Sequence, residues 1–121
     1  MSVRPVNTIK RAQKESLLYR TIARLFSEQS KDDAALRGLL VTRVELNTDK
    51  SICTVFFFTD KGPEGFREQL EQLKLYKPSL RAALAREIAS RYAPDLVFRY
   101  DAQLIKTIAI EELLDSVKEQ E

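Results

Sequence analysis

Lys74, Lys77, Arg81 and Arg86 surround a proline in the stretch LKLYKPSLRAALAREI. The chemistry open to them is electrostatic: cations spaced along a helical segment neutralise phosphates, and so hold a polyanion without reading its sequence. Pro78 interrupts that segment. Apolar residues recur as Phe66, Leu70 and Leu73 before it and as Leu80, Leu84 and Ile88 after it. This is a helical period on both sides of a residue that lacks the helical N–H and disfavours helical backbone at position 77. The spacing predicts two helices meeting at a basic kink.

A second set of cations lies near the start. Residues 1–24 carry Arg4, Lys10, Arg11, Lys14, Arg20 and Arg24 against Glu15, a balance of +5. Residues 74–91 carry Lys74, Lys77, Arg81, Arg86 and Arg91 against Glu87, a balance of +4, whereas residues 111–121 hold five acids against Lys118, a balance of −4. On a chain whose net charge is only +2, this segregation implies a side that faces a polyanion. Either zone taken alone is also compatible with a merely solvated helix face.

Other chemistry is thin. With no histidine and a single cysteine, the chain has no histidine-based acid–base catalysis, no histidine-containing metal site and no internal disulfide. Gly38, Gly62 and Gly65 are the only glycines, and they form no phosphate-binding loop. Asp32, Asp33, Glu111 and Glu112 read as ordinary loop and helix-surface acids. No catalytic residue, metal site, cofactor or small-molecule substrate is therefore expected. Cys53 falls inside an apolar run and reads as a small buried hydrophobe. The run VFFF at 55–58 is far too short to span a bilayer, and MSVRPVNTIK lacks the apolar stretch of a secretory signal. A cytoplasmic protein with no membrane segment is expected. A length of 121 residues suits one domain, 1–121, around one core.

The elements that must position the cations follow from periodicity. A first helix is predicted from Val6 to Ser27, with Leu18, Ile22, Leu25 and Phe26 on its apolar face and Lys10, Lys14, Arg20 and Arg24 on the opposite one. The polar run EQSKDDAALRG to Gly38 reads as a loop. LLVTRVELN, Leu39 to Asn47, alternates Leu40, Thr42, Val44 and Leu46 against Arg43 and Glu45, the period of a half-buried strand. NTDK supplies a tight turn. Ser51 to Thr59 follows as a strand apolar on both faces, and its VFFF run is a contact patch or a covered central strand. After the turn DKGPEG come the two helices divided near Pro78 and ending around Arg91. Asp95 to Asp101 alternates as a third strand, and Asp101 caps a last helix with Leu104, Ile105, Ile108, Leu113, Leu114 and Val117 at its apolar positions.

Helix, strand, strand, helix, helix, strand, helix defines an α+β arrangement: a three-stranded sheet with helices packed on one face, the two central helices forming the crossover between the second and third strands. Up to the third strand this is the type II K-homology (KH-like) topology, in which a consecutive helix pair binds nucleic acid. A ferredoxin-like order would need a helix between the first two strands, and NTDK has no room for one.

Two blocks carry a more specific likeness. VTRVELNTDKSICTVFF resembles the hairpin of the bacterial ribosome-binding factor A family through Val41, Thr42, Val44, Leu46, Asp49, Val55 and Phe56. LRAALAREIASRYAPDLVFRYD is similar to the family's second block through Leu80, Arg81, Leu84, Arg91, Pro94, Asp95, Leu96, Phe98 and Asp101. Weaker agreement extends into the first helix and through Leu104, Ile110 and Leu113. The family kink typically carries Ala-x-Gly; here Tyr76, Lys77 and Pro78 stand in those positions, which marks a divergent member. Proline can supply the kink. Tyr76 adds bulk where backbone would otherwise approach a phosphate, and this shifts the expected contact to Tyr76 stacking on a base with Lys77 neutralising a phosphate.

The resemblance implies a non-enzymatic assembly factor that binds the free or immature small (30S) ribosomal subunit and its 16S rRNA and assists rRNA processing and late maturation. The RNA-binding residues expected from the charge pattern are Lys10, Lys14, Arg20, Arg24, Lys74, Lys77, Arg81, Arg86 and Arg91, with Tyr76 beside them. A monomer is expected. A KH-like RNA binder outside ribosome assembly and a protein-interaction module using the VFFF strand and the acidic tail are the alternatives.

Overall fold

The computed structural model describes residues 6–88, 93–104 and 111. The first helix, α1 (Val6–Ser30), runs one turn past the predicted end. Leu18, Ile22, Leu25 and Phe26 recur at helical spacing and are all buried, so one face of α1 is committed to the core. The segment after it is not a featureless loop. Asp33 accepts a hydrogen bond from the Ala35 amide at 3.0 Å and caps a short 3-10 turn, Ala34–Leu36. The buried Gln69 amide then donates to the Ala35 and Arg37 carbonyls, both at 3.1 Å, which fastens this turn to the second helix.

β1 (Leu40–Leu46) and β2 (Ile52–Phe58) form an antiparallel hairpin. The NTDK turn closes it as the composition predicts, with Asn47 Oδ1 accepting from the Ile52 amide at 2.9 Å and Asp49 accepting from Ser51. The predicted phase of β1 needs correction. Pairing shifts between Val41 and Arg43, so Thr42 is an extra, bulged residue and the alternation inverts on its N-terminal side. Val41, Val44 and Leu46 face the core, while Leu40 is 51% exposed. Simple alternation cannot see a bulge, because a bulge adds one residue to a period of two.

α2 (Gly62–Leu73), a 3-10 turn (Lys74–Tyr76) and α3 (Lys77–Glu87) lead to β3 (Asp95–Tyr100), which lies parallel to β2. The sheet order is β1-β2-β3. The predicted third strand and helix-pair crossover are both present; residues 89–92, which include Arg91, lie outside the described part. The start of the last helix is described at residues 102–104, and most of its predicted apolar positions fall outside.

The core forms where the helices meet one face of the sheet. Phe57 at its centre is fully buried, with Phe26 edge-on at 5.2 Å, Phe98 edge-on at 5.4 Å and Phe66 stacked at 6.3 Å. These separations suit the ring quadrupoles and fill volume that small residues would leave void. Leu73, Leu80 and Leu84 close the layer from α2 and α3. Cys53 is buried in β2, and desolvation, with a smaller contribution from Glu15, pushes its thiol up to about 12. It behaves as the small hydrophobe its position predicts.

Candidate nucleic-acid interface

The proline does less to the backbone than its position in the sequence implies. Lys77 keeps helical angles, φ −54° and ψ −48°, against the expectation that Pro78 would displace it. Pro78 falls in the first turn of α3, where its missing N–H would have had no helical partner anyway. The break lies just upstream, in the tighter 3-10 turn Lys74–Tyr76.

A polar network fixes that turn. The Tyr76 phenol donates to Asp33 Oδ2 at 2.7 Å, and Gln72 Nε2 donates to the same oxygen at 2.9 Å. Tyr76 and then Gln72 hold the Asp33 carboxyl below the usual carboxylate range, while Asp33 raises the Tyr76 phenol above its ordinary value. Both directions describe a carboxylate accepting from a neutral phenol. Tyr76 is thus half-buried and engaged in holding the kink. The side chain that projects at the tip is Leu75, 70% exposed.

α1 and α3 pack antiparallel. Ser79 at the start of α3 donates to Gln29 Oε1 at 2.7 Å near the end of α1, and Glu87 at the end of α3 pairs with Arg24 further back. The two basic zones of the sequence therefore belong to one helical layer. Their charges are not equally available. Arg24 is held by Glu28 and Glu87, Arg81 Nη1 lies 3.2 Å from Asp95, and Lys74 lies 3.6 Å from Glu71. Arg20 donates to the Ser16 carbonyl of its own helix at 3.4 Å. The Lys77 ammonium is 5.4 Å from the Phe98 ring centroid, within cation–π range. Among the described residues, Lys10, Lys14 and Arg86 have no ion pair and are open to another partner. Arg91 lies outside the described residues.

Two cations that the zone-by-zone reading missed stand at the kink end of this layer. Lys31 and Arg37 line a shallow groove of about 320 Å³ between the end of α1 and the start of β1, with Phe26, Leu36 and Leu40 as its apolar wall. Both cations were visible in the sequence as charges. Their convergence was not, because it depends on the 3-10 turn that Asp33 and Gln69 hold in place.

Behind the layer, Asp101 joins the hairpin to β3. It is 2% exposed, accepts from the Thr42 hydroxyl at 2.6 Å and from Arg43 Nε at 3.4 Å, and caps the next turn through the Leu104 amide at 3.1 Å. Burial alone would raise its pKa, but the Thr42, Leu104 and Arg43 interactions outweigh burial and hold the carboxyl below the usual range. The bulged Thr42 and the strand-ending Asp101 come from the two separate sequence blocks singled out above.

A three-stranded mixed sheet covered on one side by α1 and by a helix pair with a tight break is a KH-like domain. The family model of ribosome-binding factor A matches residues 10–114, and the chain belongs to that family. A relative named ribosome-binding factor A from Syntrophomonas wolfei is 32% identical over 105 residues, covering 85% of each chain. The crystal structure of ribosome-binding factor A from Thermus thermophilus superposes with a TM-score of 0.63 at 32% identity, covering 74% of this chain and 93% of that one. Thermus thermophilus ribosome-binding factor A coordinates fitted into a cryo-EM map of a 30S complex give a TM-score of 0.58 at 32% identity, covering 71% and 89%.

Proposed function

We propose that this chain, acting as a single domain and a monomer in the cytoplasm, binds the free or immature small ribosomal subunit through its 16S rRNA. There it assists rRNA processing and late maturation without catalysing a reaction itself. The observation that carries this reading is the antiparallel α1–α3 layer, where Lys10, Lys14 and Arg86 have no ion pair among the described residues and Lys77 stands at a fixed kink. Such a surface supplies phosphate contacts, which give affinity with little base discrimination. The likeness to a relative fitted into a 30S complex supports the choice of polyanion.

Arg20, Arg24, Lys74 and Arg81 take secondary roles, since internal partners already hold them. Arg91, outside the described residues, is kept among the RNA-binding cations on its charge alone. Tyr76 acts by shaping the kink instead of stacking on a base. No described helix is long and apolar enough to cross a membrane, which suits a ribosome-bound role.

The test is the distribution of the tagged protein in a sucrose gradient of cell extract at low salt. Migration with free small subunits, and not with large subunits or joined ribosomes, supports the assignment. Migration at the top of the low-salt gradient overturns it.

A further inference from the structure

The groove between the end of α1 and the start of β1 combines two kinds of surface that suit a ligand with an anionic part and an apolar part. Lys31 and Arg37 line it, both are exposed, and among the described residues neither has an ion pair. Phe26, Leu36 and Leu40 share the lining. Leu40 is 51% exposed, because the bulge at Thr42 turns it away from the core. An exposed leucine by itself is ordinary. Here it stands in one groove with two cations that no described acid holds.

The site is set up before any ligand arrives. Gln69 fastens the Ala35 and Arg37 carbonyls to α2, and Asp33 caps the turn that carries them, so little backbone order has to be gained on binding. Asp33 also lines the groove, yet Tyr76, Gln72 and the Ala35 amide already donate to its oxygens. The Ser30 hydroxyl, another lining group, donates to the Phe26 carbonyl at 2.6 Å, which leaves its lone pairs to accept from a base N–H. A volume of about 320 Å³ lies at the small end of ligand sites, which start at about 300 Å³. The Asp33–Tyr76 bond sets the groove next to the kink, beside the cations already assigned to RNA, and this favours a nucleotide over an acidic peptide.

We propose that this groove, which no residue of α2 or α3 lines, receives one unpaired nucleotide of single-stranded RNA. Lys31 and Arg37 hold its phosphate, and its base lies against Leu40 and the apolar wall. Unstacked bases in loops and at ends are what proteins reach in RNA, and apolar stacking accepts them with little sequence preference. The assignment rests on the RNA reading above and adds to it a contact that a paired base cannot make.

The test titrates the isotope-labelled full chain with a single-stranded adenosine pentanucleotide and with an abasic pentamer carrying the same phosphates, and follows amide resonances by NMR. The amides of residues 30–41 are expected to shift saturably with the pentanucleotide, and the abasic pentamer is expected to bind at least about fivefold more weakly, the effect of one stacked base. K31A/R37A, which removes two exposed cations, is expected to weaken the pentanucleotide about tenfold at low salt. L40S is expected to bring the two probes close to equal affinity. Equal affinity of the parent for both probes, or no shift in residues 30–41, overturns the inference. Co-sedimentation of the parent with small subunits separates this claim from the ribosomal one: groove shifts in a protein that ignores small subunits uphold the groove and overturn the ribosomal assignment, whereas sedimentation with small subunits without groove shifts does the reverse.

Discussion

The Tyr76 phenol donates to the Asp33 carboxylate across 2.7 Å and ties the break between α2 and α3 to the turn after α1. A residue that the sequence offers as a base-stacking surface thereby becomes part of the scaffold. The kink is held by a polar contact between segments 43 residues apart, and proline confirms a helix start that this contact positions.

Tyr76→Phe is expected to speed amide exchange in Lys74–Ser79 by about five- to tenfold, the effect of one lost hydrogen bond on a local opening. Asp33→Ala is expected to do more, because it also removes the acceptor for Gln72 and the cap on Ala35. Amides near Leu84 are expected to keep their protection in both variants. Hydrogen exchange followed by mass spectrometry checks this; a uniform change along the chain contradicts it.

Phe57→Ala removes the ring that Phe26, Phe66 and Phe98 surround and is expected to cost about 3–5 kcal/mol in chemical denaturation. Leu75→Ala, at an exposed tip, is expected to stay within about 0.5 kcal/mol. Comparable losses in the two variants would contradict the placement of the core.

Asp101 makes stability depend on pH in one direction. Its folded pKa is below the ordinary value, so in the acid range the unfolded state binds more protons and stability rises with pH. The contribution is fully present above about pH 4 and is lost as pH falls through the folded pKa. Urea titrations between pH 2 and pH 6 are expected to show the parent losing stability more steeply than Asp101→Asn, the two converging at the acid end. Parallel curves would contradict the role given to the Asp101 hydrogen bonds.

Much of the architecture was legible because it rests on local period: α1, the hairpin, the interrupted helix pair and β3 all announce themselves by the spacing of Leu18 and Ile22, of Val55 and Phe57, of Leu80 and Leu84. What escaped the sequence was set by contacts between distant segments. The phase of β1 depends on a bulge whose Thr42 hydroxyl reaches Asp101, 59 residues away. Asp33, which reads as an ordinary loop acid, is identified as a cap and kink anchor only when Tyr76 and Gln72 arrive. The basic zones were visible, but their available charge was not, because Glu87 and Asp95 neutralise Arg24 and Arg81 from other elements.

That difference in availability is itself testable. Lys14→Ala and Arg86→Ala are each expected to weaken binding to small subunits by about three- to tenfold at low salt, the effect of losing about one phosphate contact. Arg24→Ala is expected to change it less, since Glu28 and Glu87 already hold that guanidinium. Equal losses at all three positions, measured by co-sedimentation, would contradict the ranking.

The most direct measurement is the affinity of the purified protein for purified small subunits across a salt series, for the parent and for K10E/K14E/K77E/R86E. The parent is expected to bind small subunits in preference to large ones, with log affinity falling linearly against log salt. Each lost phosphate contact is expected to flatten that slope by about 0.7–0.9, so the variant should bind far more weakly at low salt and with a shallower slope. A parent that ignores small subunits, or a variant with the parent's affinity and slope, would contradict a basic α1–α3 layer gripping ribosomal RNA.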